Sequence, residues 1–208
     1  MERALNYLGQ LRIYSYVDLV LLFLSLDAQP RQLLGLSCLW FGFLIHLEWQ
    51  HRDVGRLHWP WPAWAVPSIA GTVLVADPAC VPFLALAAGY SLKKRIPMLA
   101  AISPLLNGGL KIALIAPLAG ADAEAVLLVF VLMTMRNLLG DVRDAAKDAR
   151  EGVASIPVRM RYKKHTPLVY PVGLAATSAV WVALAGLPWW TWLCVVAVQA
   201  LTYRLTPR

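Results

Sequence analysis

The sequence predicts an all-α fold, a polytopic membrane helical bundle of about eight transmembrane helices in one domain over residues 1–208. Three observations carry this prediction. The chain is 59% hydrophobic with a mean hydropathy of +0.59, too apolar for an ordinary water-exposed domain. Apolar runs separated by short polar clusters recur along nearly its whole length, as in a chain that crosses a bilayer repeatedly. The basic residues also divide unequally between the two ends of these runs. If the runs are spans, all of the 19 Lys and Arg except Arg31 and Lys111 fall on one side, which places both termini and the polar loops in the cytoplasm of a multi-pass cell-membrane protein.

The expected spans are 13–29, 32–50, 63–77, 79–92, 97–118, 124–138, 167–186 and 188–204. The first has no small-residue cleavage site after its apolar run and leads into further spans, so it reads as a span and not as a removable leader. It carries Asp18, either interfacial or facing an interior cavity, because a carboxylate in hydrocarbon is costly. The second ends in His46-Leu47-Glu48-Trp49-Gln50-His51-Arg52-Asp53, which puts Glu48 and His51 on one helical face. Trp59, Trp61 and Trp64 follow, suited to the headgroup zone. The third and fourth are short for a bilayer of about 30 Å, and Asp77-Pro78 between them is a tight turn or a break in one re-entrant unit. The fourth ends in Tyr90-Ser91-Leu92-Lys93-Lys94-Arg95, a positive-inside cluster whose cations can also grip phosphate oxygens. The fifth holds Asn107 and Lys111, an intramembrane amide and an ammonium that either leans into a cavity or snorkels to an edge. The last two carry no candidate catalytic group, and Cys38, Cys80 and Cys194 read as buried packing residues.

The sixth run passes directly into the most polar stretch of the chain, Arg136 to Asp148, continuing to Gly152 and Ser155-Ile156-Pro157-Val158. On a helix Asp141, Asp144 and Asp148 fall at i, i+3 and i+7 and stack on one side. Two readings stand. The acids form a pocket for a hard divalent ion such as Mg2+, which takes one or two carboxylates together with substrate phosphates. Alternatively Arg143, Lys147 and Arg150 neutralise them in a solvated loop. No aromatic-basic platform or motif for nucleic acid is present.

Three of these stretches together resemble the UbiA superfamily of intramembrane prenyltransferases. Asp141, Asp144, Asp148, Gly152 and Ser155-Ile156-Pro157-Val158 are similar to its second aspartate-rich motif. Tyr90 with Lys94-Arg95 and Pro97 resembles its Tyr-x-x-x-Lys-Arg segment, and Asn107 stands where the following helix often has an asparagine. The first aspartate motif is degenerate: aligned on Arg52-Asp53 and Pro60/Pro62, its four signature positions hold Leu47, Glu48, His51 and Gly55. The resemblance implies a magnesium-dependent transferase that ionises an isoprenyl diphosphate and passes the prenyl group to a lipophilic acceptor. It implies Asp144 and Asp148 as metal ligands and Asp141 as ligand or supporting group. Glu48, with His51 or Asp53, would stand in at the first site. Arg52, Lys94, Arg95 and Arg143 would hold diphosphate, while Tyr90, Asn107 and Lys111 would line the cavity. The altered first motif keeps two alternatives open: a UbiA-type terpene cyclase, and a non-catalytic scaffold or subunit of a membrane complex.

Overall fold

A computed structural model of the chain describes residues 7, 9–50, 59–93, 95–162, 164 and 166–204. Among these residues it is helical throughout, without a strand. The helices are α1 (Ile13–Ser25), α2 (Pro30–Gln50), α3 (Ala65–Val75), α4 (Val81–Ser91), α5 (Pro97–Ala101), α6 (Ser103–Ile115), α7 (Ala123–Arg150), α8 (Ile156–Arg159), α9 (Val169–Leu184) and α10 (Trp189–Arg204). Short 3-10 turns, Trp61–Trp64 and Pro78–Cys80, precede α3 and α4.

Local chemistry sets the breaks. Asp77 ends the α3 segment by accepting a hydrogen bond from the Ala79 backbone N–H at 2.8 Å, with Ala76 left-handed before it. Asp77-Pro78 is thus a turn between two helices. The run expected over 97–118 is divided at Ile102, because Pro104 tolerates only a first helical turn and restricts the residue before it. At the start of α7 the Asp122 carboxylate caps the Ala125 N–H at 2.8 Å. Its far end is closed at left-handed Gly152, where the Val153 N–H returns to the Asp148 carbonyl at 2.9 Å.

Two helices, α2 and α7, are long and apolar enough to span a membrane. The expectation of eight crossings is therefore met only in part. Helical segments occur near all eight positions, but at 1.5 Å per residue the 16-residue α9 and α10 reach only about 24 Å. The 28 residues of α7 extend about 42 Å, so its polar end from Leu139 onward projects past its apolar part. The outer stripe of α7, Leu127, Val131 and Met135, is exposed and apolar.

The helices close into a ring. Contacts run from α2 to α4, α6, α7, α9, α10 and α1, and α1 meets α2 again, with α3 laid on α2. The α2–α3 seam is tight because Gly71 has no Cβ; one would meet the Gly35 carbonyl oxygen and the Leu39 side chain, each at 2.7 Å. Leu22, Phe23, Leu39, Trp40, Phe83, Leu110 and Met133 fill the interior. Cys80 is buried as expected and Cys38 half-buried, while Cys194 is exposed.

Asp18 faces inward and is fully buried. Its carboxylate accepts from Arg136 of α7, from Thr177 at 3.2 Å and from Ser178 at 2.8 Å on α9. Gln199 of α10 donates to Ser178 at 2.7 Å. One acid of α1 is thereby connected to three other helices. Asp18→Leu strands the Arg136 guanidinium without its carboxylate and should cost about 3–5 kcal/mol of stability. Asp18→Leu combined with Arg136→Leu should recover most of it; thermal unfolding in detergent measures both.

Candidate functional site

Asp18 also fixes the rotation of α7. At about 100° per residue, Asn137, Gly140, Asp141, Asp144 and Asp148 fall within a sector of about 140° beginning at Arg136, and all of them line one cavity of about 160 Å³. Glu48 of α2, distant in sequence, lines the same cavity together with Arg12, Lys93, Ser103 and Tyr170. The acids expected to face each other across a shared mouth are therefore walls of a single hollow.

Each acid is engaged differently. Asp141 accepts a hydrogen bond from Ser103 of α6 at 2.9 Å. Asp144, the most exposed of the three, is gripped by both ends of the Arg143 guanidinium, with Nε to Oδ1 at 2.8 Å. Arg143 in turn lies 4.6 Å over the Tyr170 ring and donates to the Tyr203 hydroxyl at 3.3 Å. Asp148, ten residues beyond the expected end of the span, has its carboxyl pushed up to about 6, chiefly by burial and further by Asp141 and Asp144. Glu48 is buried and accepts from Arg12 at 3.1 Å.

The cations stand beside these acids. Lys93 donates to the Tyr90 hydroxyl at 2.9 Å, and Tyr90 donates to Asn137 at 2.9 Å. Tyr14, Tyr170 and Tyr203 pack edge to face and stacked at one wall. A smaller inner chamber of about 50 Å³ adjoins, sharing Arg12, Tyr14, Tyr90, Asn137 and Tyr170 and adding Asn107 and Lys111. The Lys111 ammonium is fully buried, 3.0 Å from the centre of the Trp40 ring, and has no hydrogen-bond acceptor among the described residues. Phe43 belongs both to this chamber and to an apolar groove of about 500 Å³ between α2, α3 and α4, walled by Leu39, Trp64, Ile69 and Phe83.

Of the residues singled out in the sequence, Glu48, Tyr90, Asp141, Arg143, Asp144 and Asp148 meet in the outer cavity. Asn107 and Lys111 line the inner one. Arg95 is turned to the end of α2, where it donates to the Gln50 carbonyl at 3.2 Å, and is not a wall of either chamber. His51, Arg52, Asp53 and Lys94 lie outside the described residues. Lys93, read in the sequence as part of a basic cluster that can grip phosphate oxygens, lines the outer cavity, whereas sequence reasoning passed over Arg12, Tyr14, Ser103, Asn137, Tyr170 and Tyr203. Arg12 reads as one more flanking basic residue, and the tyrosines of α9 and α10 sit in runs that otherwise look like lipid-facing packing.

Among the described residues no three His, Cys, Asp or Glu side chains stand close enough together to form a ready-made metal site. For magnesium the donor chemistry nevertheless fits, since that ion completes its shell with substrate oxygens and water around one or two carboxylates. Asp144 and Asp148, one helical turn apart, supply such a pair. Asp148 is buried beside Asp141 and Asp144, which raises its carboxyl. Comparison of the chain with family models, with curated proteins and with solved structures finds no match.

The folded chain holds the Asp148 proton more tightly than the unfolded chain does. The ionised group therefore opposes folding above about pH 6, and this penalty disappears as pH falls through the ordinary carboxylate range. Asp148→Asn should raise the melting temperature at pH 8 by a few degrees and leave it unchanged near pH 4, as read by unfolding scans at the two pH values.

Proposed function

We propose that this chain is a polytopic UbiA-like membrane enzyme, a magnesium-dependent prenyltransferase acting on an isoprenyl diphosphate and a lipophilic acceptor. The observation that carries the reading is the shared cavity. Glu48 of α2 and Asp141, Asp144 and Asp148 of α7 line one hollow with Arg12, Lys93 and Arg143, and an apolar groove lies beyond Phe43. Acids and bases facing one small volume suit a ligand that carries negative oxygens and arrives with a cation. The groove, within the size range of small-molecule pockets, suits an apolar chain.

In this reading Asp144 and Asp148 hold magnesium, and Asp141, fixed by Ser103, supports them. Magnesium, when bound, neutralises the charge that develops on the departing diphosphate. Lys93 and Arg143 bind phosphate oxygens. Tyr90 and Asn137 fix the position of Lys93 at the cavity wall. The allylic C–O bond breaks with its electron pair passing to the diphosphate, and the acceptor captures the prenyl cation and gives up a proton. Exposed apolar faces such as Leu127, Val131 and Met135 support membrane residence, with the motif ends of α2 and α7 on the cytoplasmic side.

A non-catalytic role has its own supporting observation. Arg143 binds Asp144, and Arg12 binds Glu48, so two of the four acids are neutralised internally. Pyrophosphate release decides. With magnesium, farnesyl or geranylgeranyl diphosphate and a mixture of quinone precursors and lipid alcohols, the purified chain should release pyrophosphate only when an acceptor is supplied. Asp144→Ala with Asp148→Ala should lower the rate at least 100-fold, the order expected on losing a main electrostatic element. Release without acceptor and with a hydrocarbon product indicates a cyclase instead, and no release under any condition indicates the scaffold.

A further inference from the structure

The inner chamber differs from the outer cavity in the charge of its walls. Glu48, Asp141, Asp144 and Asp148 all line the outer cavity, whereas among the described residues no carboxylate lines the inner one. Its charged walls are three cations, Arg12, Lys111 and Arg136. Arg12 donates to Glu48 at 3.1 Å and Arg136 donates to Asp18, so both are matched by acids outside the chamber. Lys111 is fully buried and has no hydrogen-bond acceptor; its ammonium rests on the face of the Trp40 ring. That contact attracts a cation but accepts none of its three N–H donors.

Two more walls carry unused donors. Trp40 is 4% exposed and its indole N–H has no acceptor. Asn137 spends its side-chain oxygen on the Tyr90 hydroxyl at 2.9 Å, and its amide nitrogen has no acceptor. Donors from α2, α6 and α7 thus border one small volume with nothing to receive them. Buried polar groups are ordinarily paired, and an unpaired one costs free energy. Several around one hollow therefore mark a place for a ligand that brings acceptors. Water brings acceptors but leaves the Lys111 charge facing two guanidinium groups; an anion answers both needs, and a metal ion is repelled. Size restricts the choice further. The chamber of about 50 Å³, at about 10–15 Å³ for each water-sized group, has room for a carboxylate and not for a whole diphosphate.

We infer that the inner chamber is a monoanion site that takes one carboxylate group, received by the Lys111 ammonium together with the Trp40 and Asn137 N–H donors. The site is separate from the diphosphate site proposed for the outer cavity, because its ligand is smaller and needs no metal. The carboxylate belongs either to a small free acid or to the head of a lipophilic acid, and the recognised group is the same in both.

Thermal unfolding of the detergent-purified full chain tests this, with the sodium salt of a bulky sulfonate buffer replaced by sodium acetate at constant ionic strength. Acetate should raise the melting temperature saturably, by a few degrees once in large excess over its dissociation constant. Lys111→Met fills similar space without the charge; it should melt at least as high as the wild type in sulfonate and show no acetate shift. Trp40→Phe keeps an aromatic face and loses the N–H, so it should need about fivefold more acetate for the same shift, as expected for one lost hydrogen bond. Decanoate and decanol identify the source. A shift at far lower concentration with decanoate, absent with decanol and lost in Lys111→Met, assigns the carboxylate to a lipophilic acid; equal potency of acetate and decanoate assigns it to a small free acid. No shift with either acid in the wild type, or a shift retained by Lys111→Met, would overturn the inference. So would mutually exclusive binding of acetate and magnesium pyrophosphate, which would make the chamber an arm of the outer site. Absence of any pyrophosphate effect, with the acetate shift intact, would strike the diphosphate reading and leave this inference standing.

Discussion

The buried carboxylate of Asp18 is the constraint from which the rest of the architecture follows. It accepts from Arg136, Thr177 and Ser178, which come from two helices far along the chain. An ion pair with 0% of Asp18 and 4% of Arg136 exposed contributes little net stability, because desolvating both charges offsets most of their attraction. Its value lies in orientation. A helix with apolar residues on every side can rotate in a bundle at low cost; one that must bring Arg136 to Asp18 cannot. Fixing that rotation turns Asn137, Asp141, Asp144 and Asp148 into the cavity and leaves Leu127, Val131 and Met135 outside.

The cavity balances charge locally. Asp144 lies against Arg143, Glu48 against Arg12, and Asp141 against the Ser103 hydroxyl. Burial, with Asp141 and Asp144 nearby, raises the Asp148 carboxyl to about 6. A group that opposes folding in its charged form is what a binding site retains when a ligand supplies the missing charge.

Aromatic side chains connect the polar hollow to the apolar body. Tyr90 joins Lys93 to Asn137 through its hydroxyl while its ring packs on Phe43 at 5.8 Å. Phe43 separates the inner chamber from the groove beside α3. A tyrosine is suited to this boundary because one end is apolar and the other bonds polar groups. The tyrosines of α1, α9 and α10 do the same at the opposite wall, where Arg143 stacks on Tyr170.

Part of this was readable from the chain alone. The helical segments, the turn at Asp77-Pro78 and the one-sided placement of Asp141, Asp144 and Asp148 follow from local rules, since hydropathy, proline chemistry and helical periodicity act over a few residues. The division at Ile102 also has a local cause, Pro104, although the apolar pattern continues across it. Only the tertiary structure decided that Asp18 turns inward to Arg136, that Arg12 pairs with Glu48, and that Tyr170 and Tyr203 belong to the cavity. The physical reason is that such pairings join residues 36 or 118 positions apart, and which distant charges meet is set by how the helices rotate and pack against one another. No periodicity within a single segment encodes that.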